Sequence, residues 1–273
     1  MLKKLFDYLG GRVIFAEIPK NAPAGNDDMW EEFMACFQNR PPISFWWRDD
    51  DVGGEGRNFL RRLLNEQRLG MMLALLAKYD IPAVFAITPY NLLPRGAGQV
   101  ALLKKYSAYL AVHGISHKNN AGSDVSPSEF PDGCDVEASA SAVLKHIREL
   151  ADIFGDRLLP VFVPPWNNMD ERLKEKLPAC GITVVSAFNN AGTAGRSVWN
   201  ADIDLIDWKI RNLRDPRDIL RDIVRLLGNE EVRSIGMMNH YKLLGAKGAA
   251  FFDKLFCRTK QCPSVTWTLP GLL

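Results

Sequence analysis

Apolar residues recur along the chain in short runs, separated by longer stretches of helical period. The first clear run is Ile43-Ser44-Phe45-Trp46-Trp47. It is β-branched and aromatic, and too closely flanked by Pro41-Pro42 and Gly53-Gly54 for a helix, so it predicts a buried strand. A helical stretch follows over 57–79, with Leu60, Leu63, Leu64 and a nearly continuous apolar run from Met71 to Leu76. The pattern then alternates: strand 83–87, short helix 99–106, strand 109–112, helix 135–154 with Asp135 as its cap, and strand 159–163. Helix 170–179, strand 182–185, a run over 203–206, helix 216–227 and strand 234–238 come next, before a C-terminal helix and a strand over 265–269. Two polar stretches, 118–134 and 189–200, are rich in Asn, Gly and Ser and read as surface loops.

Strand and helix alternate throughout, which predicts a parallel α/β architecture with both strand faces covered. Seven or eight such strands leave two alternatives, a closed or nearly closed barrel and an open doubly wound sheet. Residues 1–42 are broken by Gly and Pro, with a short helix expected around 29–37. They read as an N-terminal arm packed on a single barrel over 43–273, a length that one large domain accommodates.

Composition narrows the function classes. A formal charge of +2 gives no global attraction to nucleic acid. No glycine-rich nucleotide fingerprint follows the first strand. The cysteines, Cys36, Cys134, Cys180, Cys257 and Cys262, are odd in number, scattered and free of C-x-x-C, which argues against a zinc ribbon or disulfide framework and for a reducing compartment. No segment has the uninterrupted apolar length of a transmembrane span, and Asp7 and Arg12 interrupt the start as a secretory signal would not, so a cytoplasmic location is expected. Oligomeric state is not legible.

The candidate chemistry lies at strand ends. Asp49, Asp50 and Asp51 close the first strand, and adjacent carboxylates need a metal ion, a shared proton or nearby cations, unless they cap the following helix. In a barrel, reactive groups gather at the carboxyl ends of strands. The other ends carry His113-Gly114-Ile115-Ser116-His117, Pro164-Pro165-Trp166-Asn167, Asp204-Leu205-Ile206-Asp207-Trp208 and Asn239-His240. Three of four histidines thus fall there, while His146, among Lys145, Arg148 and Glu149, reads as a surface residue. Histidines four apart on one turn share a face. Two imidazoles with one carboxylate and an open position for water suit zinc or a similar divalent metal.

These segments resemble the polysaccharide deacetylases of the NodB-homology type, carbohydrate esterase family 4. The resemblance rests on Arg48-Asp49-Asp50-Asp51, His113 to His117, Val163-Pro164-Pro165-Trp166, Asp204 to Trp208 and Met237-Met238-Asn239-His240, in the family's order. It implies a distorted (β/α)7-8 barrel and a metal-dependent hydrolase that removes acetyl groups from N-acetylated sugars, small molecules or oligosaccharides. It further implies Asp50 as general base, Asp51, His113 and His117 as ligands of a divalent metal, zinc first, and His240 as general acid. Three aspartates leave a second register, with Asp49 as base and Asp50 on the metal. Gly114 stands where the family has Ser or Thr, which predicts that a hydrogen bond supporting the loop is missing. Val163 stands where the family has an Arg that contacts the base, so Arg48 or another cation is the expected substitute.

The chemistry then assigns supporting groups. Asp204 or Asp207 would orient His240 and raise its pKa. The Trp166 N–H would stabilise the oxyanion, with Pro165, Asn167 and Trp208 around the substrate. Trp46 and Trp47 read as core, Trp166 as the better sugar platform, and the loops 118–134 and 189–200 as the substrate frame. The alternatives are an inactive deacetylase-like barrel that binds carbohydrate and, less well matched, a metal-dependent lyase or aldolase. Lys3-Lys4 and Phe6 hint at contact with a membrane surface.

Overall fold

The computed structural model describes residues 27–38, 40–53, 59–93, 96–189 and 197–271. Most of the expected N-terminal arm, with Lys3, Lys4 and Phe6, and most of the loop over 189–200 lie outside the described residues. Helix α1 (Asp27–Ala35) precedes β1 (Ile43–Val52), and α2 (Phe59–Lys78) leads to β2 (Ala83–Ile87). Then come α3 (Pro89–Leu92), α4 (Ala97–Lys105), β3 (Tyr109–His113), α5 (Val136–Phe154), β4 (Leu158–Val163), α6 (Glu171–Lys176) and β5 (Val184–Val185). The chain closes with β6 (Ile203–Asp204), β7 (Ile206–Asp207), β8 (Asn212–Leu213), α7 (Pro216–Leu227), β9 (Ser234–Asn239), α8 (Ala246–Lys260) and β10 (Val265–Trp267).

The strands pair in the order β5-β4-β3-β2-β1-β9-β6, all parallel, so their carboxyl ends share one rim. Long β1 is shared along one edge: β10 pairs with Ile43 to Phe45, and β2 takes over from Trp47. The sheet curls, and a parallel bridge from Phe188 to Ala201 joins the segment beyond β5 to the one ahead of β6. This is the distorted barrel, not the open doubly wound sheet. Val84, Ala86, Ala111, Val161, Val163 and Leu269 fill its interior. The larger core lies between the sheet and its helices, where Trp47 packs edge-on against Phe252 and Phe256. Helix α1 joins that core through Trp30, Phe33 and the following Phe37, whose ring reaches Phe45 of β1. Asp135 caps α5 by accepting the Ala138 N–H at 3.0 Å, as its position suggests.

Three expectations change. The run over 203–206 is not one strand: Asp204 accepts the Ile206 N–H at 2.9 Å, turning the chain out of the sheet after β6. Residues β7 and β8 then form a separate antiparallel hairpin that carries Trp208 at its turn. The strand over 182–185 shortens to Val184–Val185, because Ile182 N–H is spent on Leu177 O behind it. The loop over 118–134 lies on the surface except at Ser128, Glu129 and Phe130, which are buried.

Candidate active site

The site begins with an irregularity in β1. Asp49 pairs with Phe85 of β2 and Val52 with Ile87, so β1 spends three steps where β2 spends two. The extra residue is a bulge, and Asp51 adopts a left-handed φ of 65° there. In a regular strand, consecutive side chains face opposite ways. The bulge instead brings the adjacent Asp50 and Asp51 to the same side, where both carboxylates act on His240. The tryptophans upstream are buried, Trp46 inward beside Trp199 and Trp47 among the helices.

Asp51, His113 and His117 converge. Asp51 Oδ1 lies 3.2 Å from Nε2 of His113 and 3.1 Å from Nε2 of His117, and the three donor atoms fall within 4.8 Å of one another. The histidines do not share a helical face. His113 ends β3, and the chain reverses through Gly114 (φ 59°) and His117 (φ 56°) to bring the second ring beside the first, centroids 5.0 Å apart. His113 Nδ1 lies 2.9 Å from the Val163 carbonyl, which can only accept, so Nδ1 carries a proton. Nε2, 3.2 Å from Asp51 Oδ1, either donates to that carboxylate or, once it has given up its proton, offers a lone pair to a metal. This donor set fits a divalent metal, and a ring nitrogen tied behind the ligating one is the usual outer support of such sites. Burial pushes the Asp51 carboxyl up, but bonds from both histidines and the charge of His240 outweigh it and hold it well below the usual range. Burial lowers the His117 pKa, while its bond and attraction to Asp51 win and raise it.

Asp50 faces Arg48, two residues earlier on the same strand. Arg48 Nη2 donates to Asp50 Oδ2 at 3.0 Å, and Nε lies 2.9 Å from Oδ1 as an ion pair. Arg48 is 1 % exposed and also donates to Ser186 Oγ (2.7 Å), Ala187 O (3.1 Å) and Asn167 Oδ1 (3.4 Å). A cation from β1 therefore stands against Asp50, where Val163 offers none.

Asp49 points the other way. Its Oδ2 accepts from Asn239 Nδ2 at 2.6 Å and its Oδ1 from the Tyr241 N–H at 2.7 Å, with Trp47 Nε1 3.4 Å from Oδ2. These donors bracket His240, so Asp49 ties β1 to the end of β9. Burial raises its pKa to about 7 against those bonds.

Across the cleft stands His240, 7 % exposed, with the Trp208 ring edge-on at 4.6 Å. Trp208 Nε1 donates to Asp204 Oδ2 at 2.7 Å. Asp204 thus engages Trp208, and Asp207 is spent on the Lys209 N–H at 2.9 Å in the hairpin. The expected rise in the His240 pKa does not occur: burial lowers it, outweighing the pull of Asp51, Asp50 and Asp204. Burial also raises Asp204, partly offset by the Ile206 and Trp208 donors. Trp166, 37 % exposed and in a left-handed turn (φ 56°) with Pro165 and Asn167, places its ring 4.3 Å from His117.

Sequence reasoning passed over Ser186, which holds Arg48, and Glu129, which receives the Ile115 and Ser116 N–H groups at 3.0 and 2.7 Å. No motif signals either, because each lies far along the chain from its partner.

No protein-family model matches the sequence. No curated protein matches it either. Solved structures do. A protein from Mycobacterium smegmatis assigned as a polysaccharide deacetylase superposes with a TM-score of 0.61 at 14% identity, covering 85% of this chain and 88% of that one. The polysaccharide deacetylase Bc1974 from Bacillus cereus gives 0.52 at 16%, covering 85% and 93%. BA3943 from Bacillus anthracis, a pseudoenzyme of carbohydrate esterase family 4, gives 0.52 at 13%, covering 83% and 63%. The structural neighbours are thus polysaccharide deacetylases of that family, and at these identities the likeness establishes the NodB-type barrel.

Proposed function

We propose that this protein is a metal-dependent deacetylase that hydrolyses the N-acetyl amide of a sugar or glycan precursor. The observation that carries the reading is the convergence of Asp51, His113 and His117, with the His113 tautomer set by Val163 O. Zinc is the ion that two imidazoles and a carboxylate favour. A divalent ion bound there supplies a Lewis acid and lowers the pKa of water that reaches it.

The chain's own groups move the protons. Asp50 accepts the proton of the attacking water, and Arg48 holds its carboxylate in place as the cation that Val163 cannot supply. His240 gives a proton to the departing amine, which is too basic to leave without one. The Trp166 N–H steadies the charge that develops on the amide oxygen. Trp166 and Trp208 border the sugar, and Pro165 and Asn167 shape the turn that presents Trp166.

A second reading, a barrel that binds carbohydrate without turning it over, draws on Val163 and on the pseudoenzyme among the structural neighbours. One experiment separates the two. Metal content is measured on protein purified without chelator, followed by acetate release from a panel of N-acetylated sugars. The deacetylase reading expects about one zinc per chain and acetate release that Asp50→Asn abolishes while zinc and fold remain. Sugar binding with no acetate release from any substrate supports the inactive barrel instead.

A further inference from the structure

The turn from His113 to His117 poses a problem in backbone accounting. With Gly114 and His117 both left-handed, the intervening N–H groups of Ile115 and Ser116 leave the sheet ladder, and buried N–H groups need acceptors. The resemblance predicts no help from residue 114, which is glycine. Glu129, 5 % exposed, supplies what is missing. Its Oε2 accepts the Ile115 N–H at 3.0 Å, and its Oε1 accepts both the Ser116 N–H and the Ser116 hydroxyl at 2.7 Å. Three donors on one carboxylate offset the cost of burying it.

Gly114 and Glu129 also exclude alternatives for each other. A Cβ at position 114 would lie 2.0 Å from Glu129 Oε2 and 2.5 Å from Pro165 Cγ. The carboxylate thus occupies the space that a serine or threonine side chain at 114 would take. Glu129 itself is fastened on either side. Its carbonyl accepts from Asn120 Nδ2 at 2.8 Å, and Ser128 Oγ donates to Asn168 O at 3.0 Å, next to the Trp166 turn. Phe130 bridges to Met169.

We propose that Glu129 is the positioning residue of the metal-binding turn, fixing where His113 and His117 present their nitrogens to a divalent cation. This rests on the deacetylase reading for its metal, but its test does not depend on turnover. It touches neither ion nor substrate and acts through the backbone of residues 115 and 116.

The experiment is competition for Zn²⁺ between the metal-free full-length chain and a chromophoric chelator, comparing wild type, Glu129→Gln and Ser116→Ala. In Glu129→Gln an amide NH2 meets one of the donors that the carboxylate now accepts. Zinc affinity is expected to fall about tenfold to a hundredfold, the range for a lost outer-shell partner. Ser116→Ala removes only the hydroxyl bond and is expected to lower affinity by a smaller factor, in a chain that keeps both N–H bonds. A merely structural staple would lower the thermal midpoint of the metal-free protein and leave zinc affinity within about twofold of wild type, which overturns the proposal. If Glu129→Gln does not fold, Ser116→Ala decides by the same criterion. A wild-type chain that binds zinc but releases no acetate defeats the proposed function and leaves this inference standing. A wild-type chain that binds no zinc defeats both.

Discussion

The two sides of the cleft are held very unevenly. On one side, both nitrogens of His113 are engaged, His117 meets Asp51, and the turn between them is clasped by Glu129. On the other, Nδ1 of buried His240 has no hydrogen-bond partner among the described residues, and its neighbour is the edge of half-exposed Trp208. The contrast matches two kinds of work. A metal ligand must sit within a few tenths of an ångström of its place before the ion arrives. A proton donor must only come within hydrogen-bond reach of the leaving group, and such contacts tighten when substrate binds.

The most damaging test of this contrast removes a donor from the tight side. Asp51→Ala or His113→Ala is expected to abolish stoichiometric zinc, a larger loss than the tenfold to hundredfold cost of an outer partner. Metal analysis after dialysis reads it directly. Retention of one zinc per chain in either variant would falsify the assigned ligand set. On the loose side, His240→Ala should leave zinc in place and lower kcat by about 10²–10⁴-fold, the usual worth of general acid–base catalysis. Asp50→Asn belongs with His240→Ala in this respect, full of metal and nearly inert. If it lost zinc instead, the second register, with Asp50 on the metal, would gain ground.

The adjacent carboxylates sharpen the comparison further. Asp49 and Asp50 are neighbours in sequence and almost fully buried, yet one faces the helices and the other the cleft. In Asp49→Asn, an amide would oppose the Asn239 amide, and stability should fall by about 1–3 kcal/mol, the cost of an unsatisfied buried group. The double variant Asp49→Asn, Asn239→Asp reverses the donor and acceptor and should recover much of that loss. The pH dependence has a definite sign. Asp49 titrates at about 7 when folded, against about 3.9 when unfolded. The folded chain then holds a proton that the unfolded chain gives up, so this contribution is complete below about pH 4 and lost as pH rises through 7. Urea midpoints of the metal-free protein should therefore fall more steeply between pH 4 and 7 in wild type than in Asp49→Asn. Equal slopes would remove Asp49 as the source.

How much of this was legible in the chain depends on how local the signal is. The alternating strands and helices, and the gathering of Asp51, His113, His117 and His240 at one rim, follow from hydrophobic period and from strand ends, which parallel pairing aligns. The division of labour among Asp49, Asp50 and Asp51 does not, because it depends on one bulged residue whose register is set by β2. The route that joins the two histidines was misjudged for a similar reason. A spacing of four suggests a helical turn, but Gly114 permits a reversal whose N–H groups are taken up by Glu129 from the loop that follows, a contact that no spacing rule signals. The splitting of the run over 203–206 came from a side chain, Asp204, taking a backbone N–H that the sheet would otherwise use.

The smallest expected effect concerns how His240 is tuned. Burial lowers its pKa, and the carboxylates of Asp51, Asp50 and Asp204 work against that. A general acid must be protonated to act, so activity should be lost as pH rises through the His240 pKa. Asp51 and Asp50 cannot be altered without harming metal or base, but Asp204 acts on His240 by charge alone, its two oxygens being spent on the Ile206 N–H and on Trp208 Nε1. In Asp204→Asn that favourable charge disappears and the protonated imidazole becomes harder to keep. The alkaline limb of kcat/KM should move to lower pH, by less than about one unit at the effective dielectric of such sites. The single amide oxygen at 204 can keep only one of the Ile206 N–H and Trp208 Nε1 bonds, so the pH limb is read beside KM, which reports any shift of the Trp208 ring. A limb that stays fixed, or moves to higher pH, would mean that another group supplies the proton.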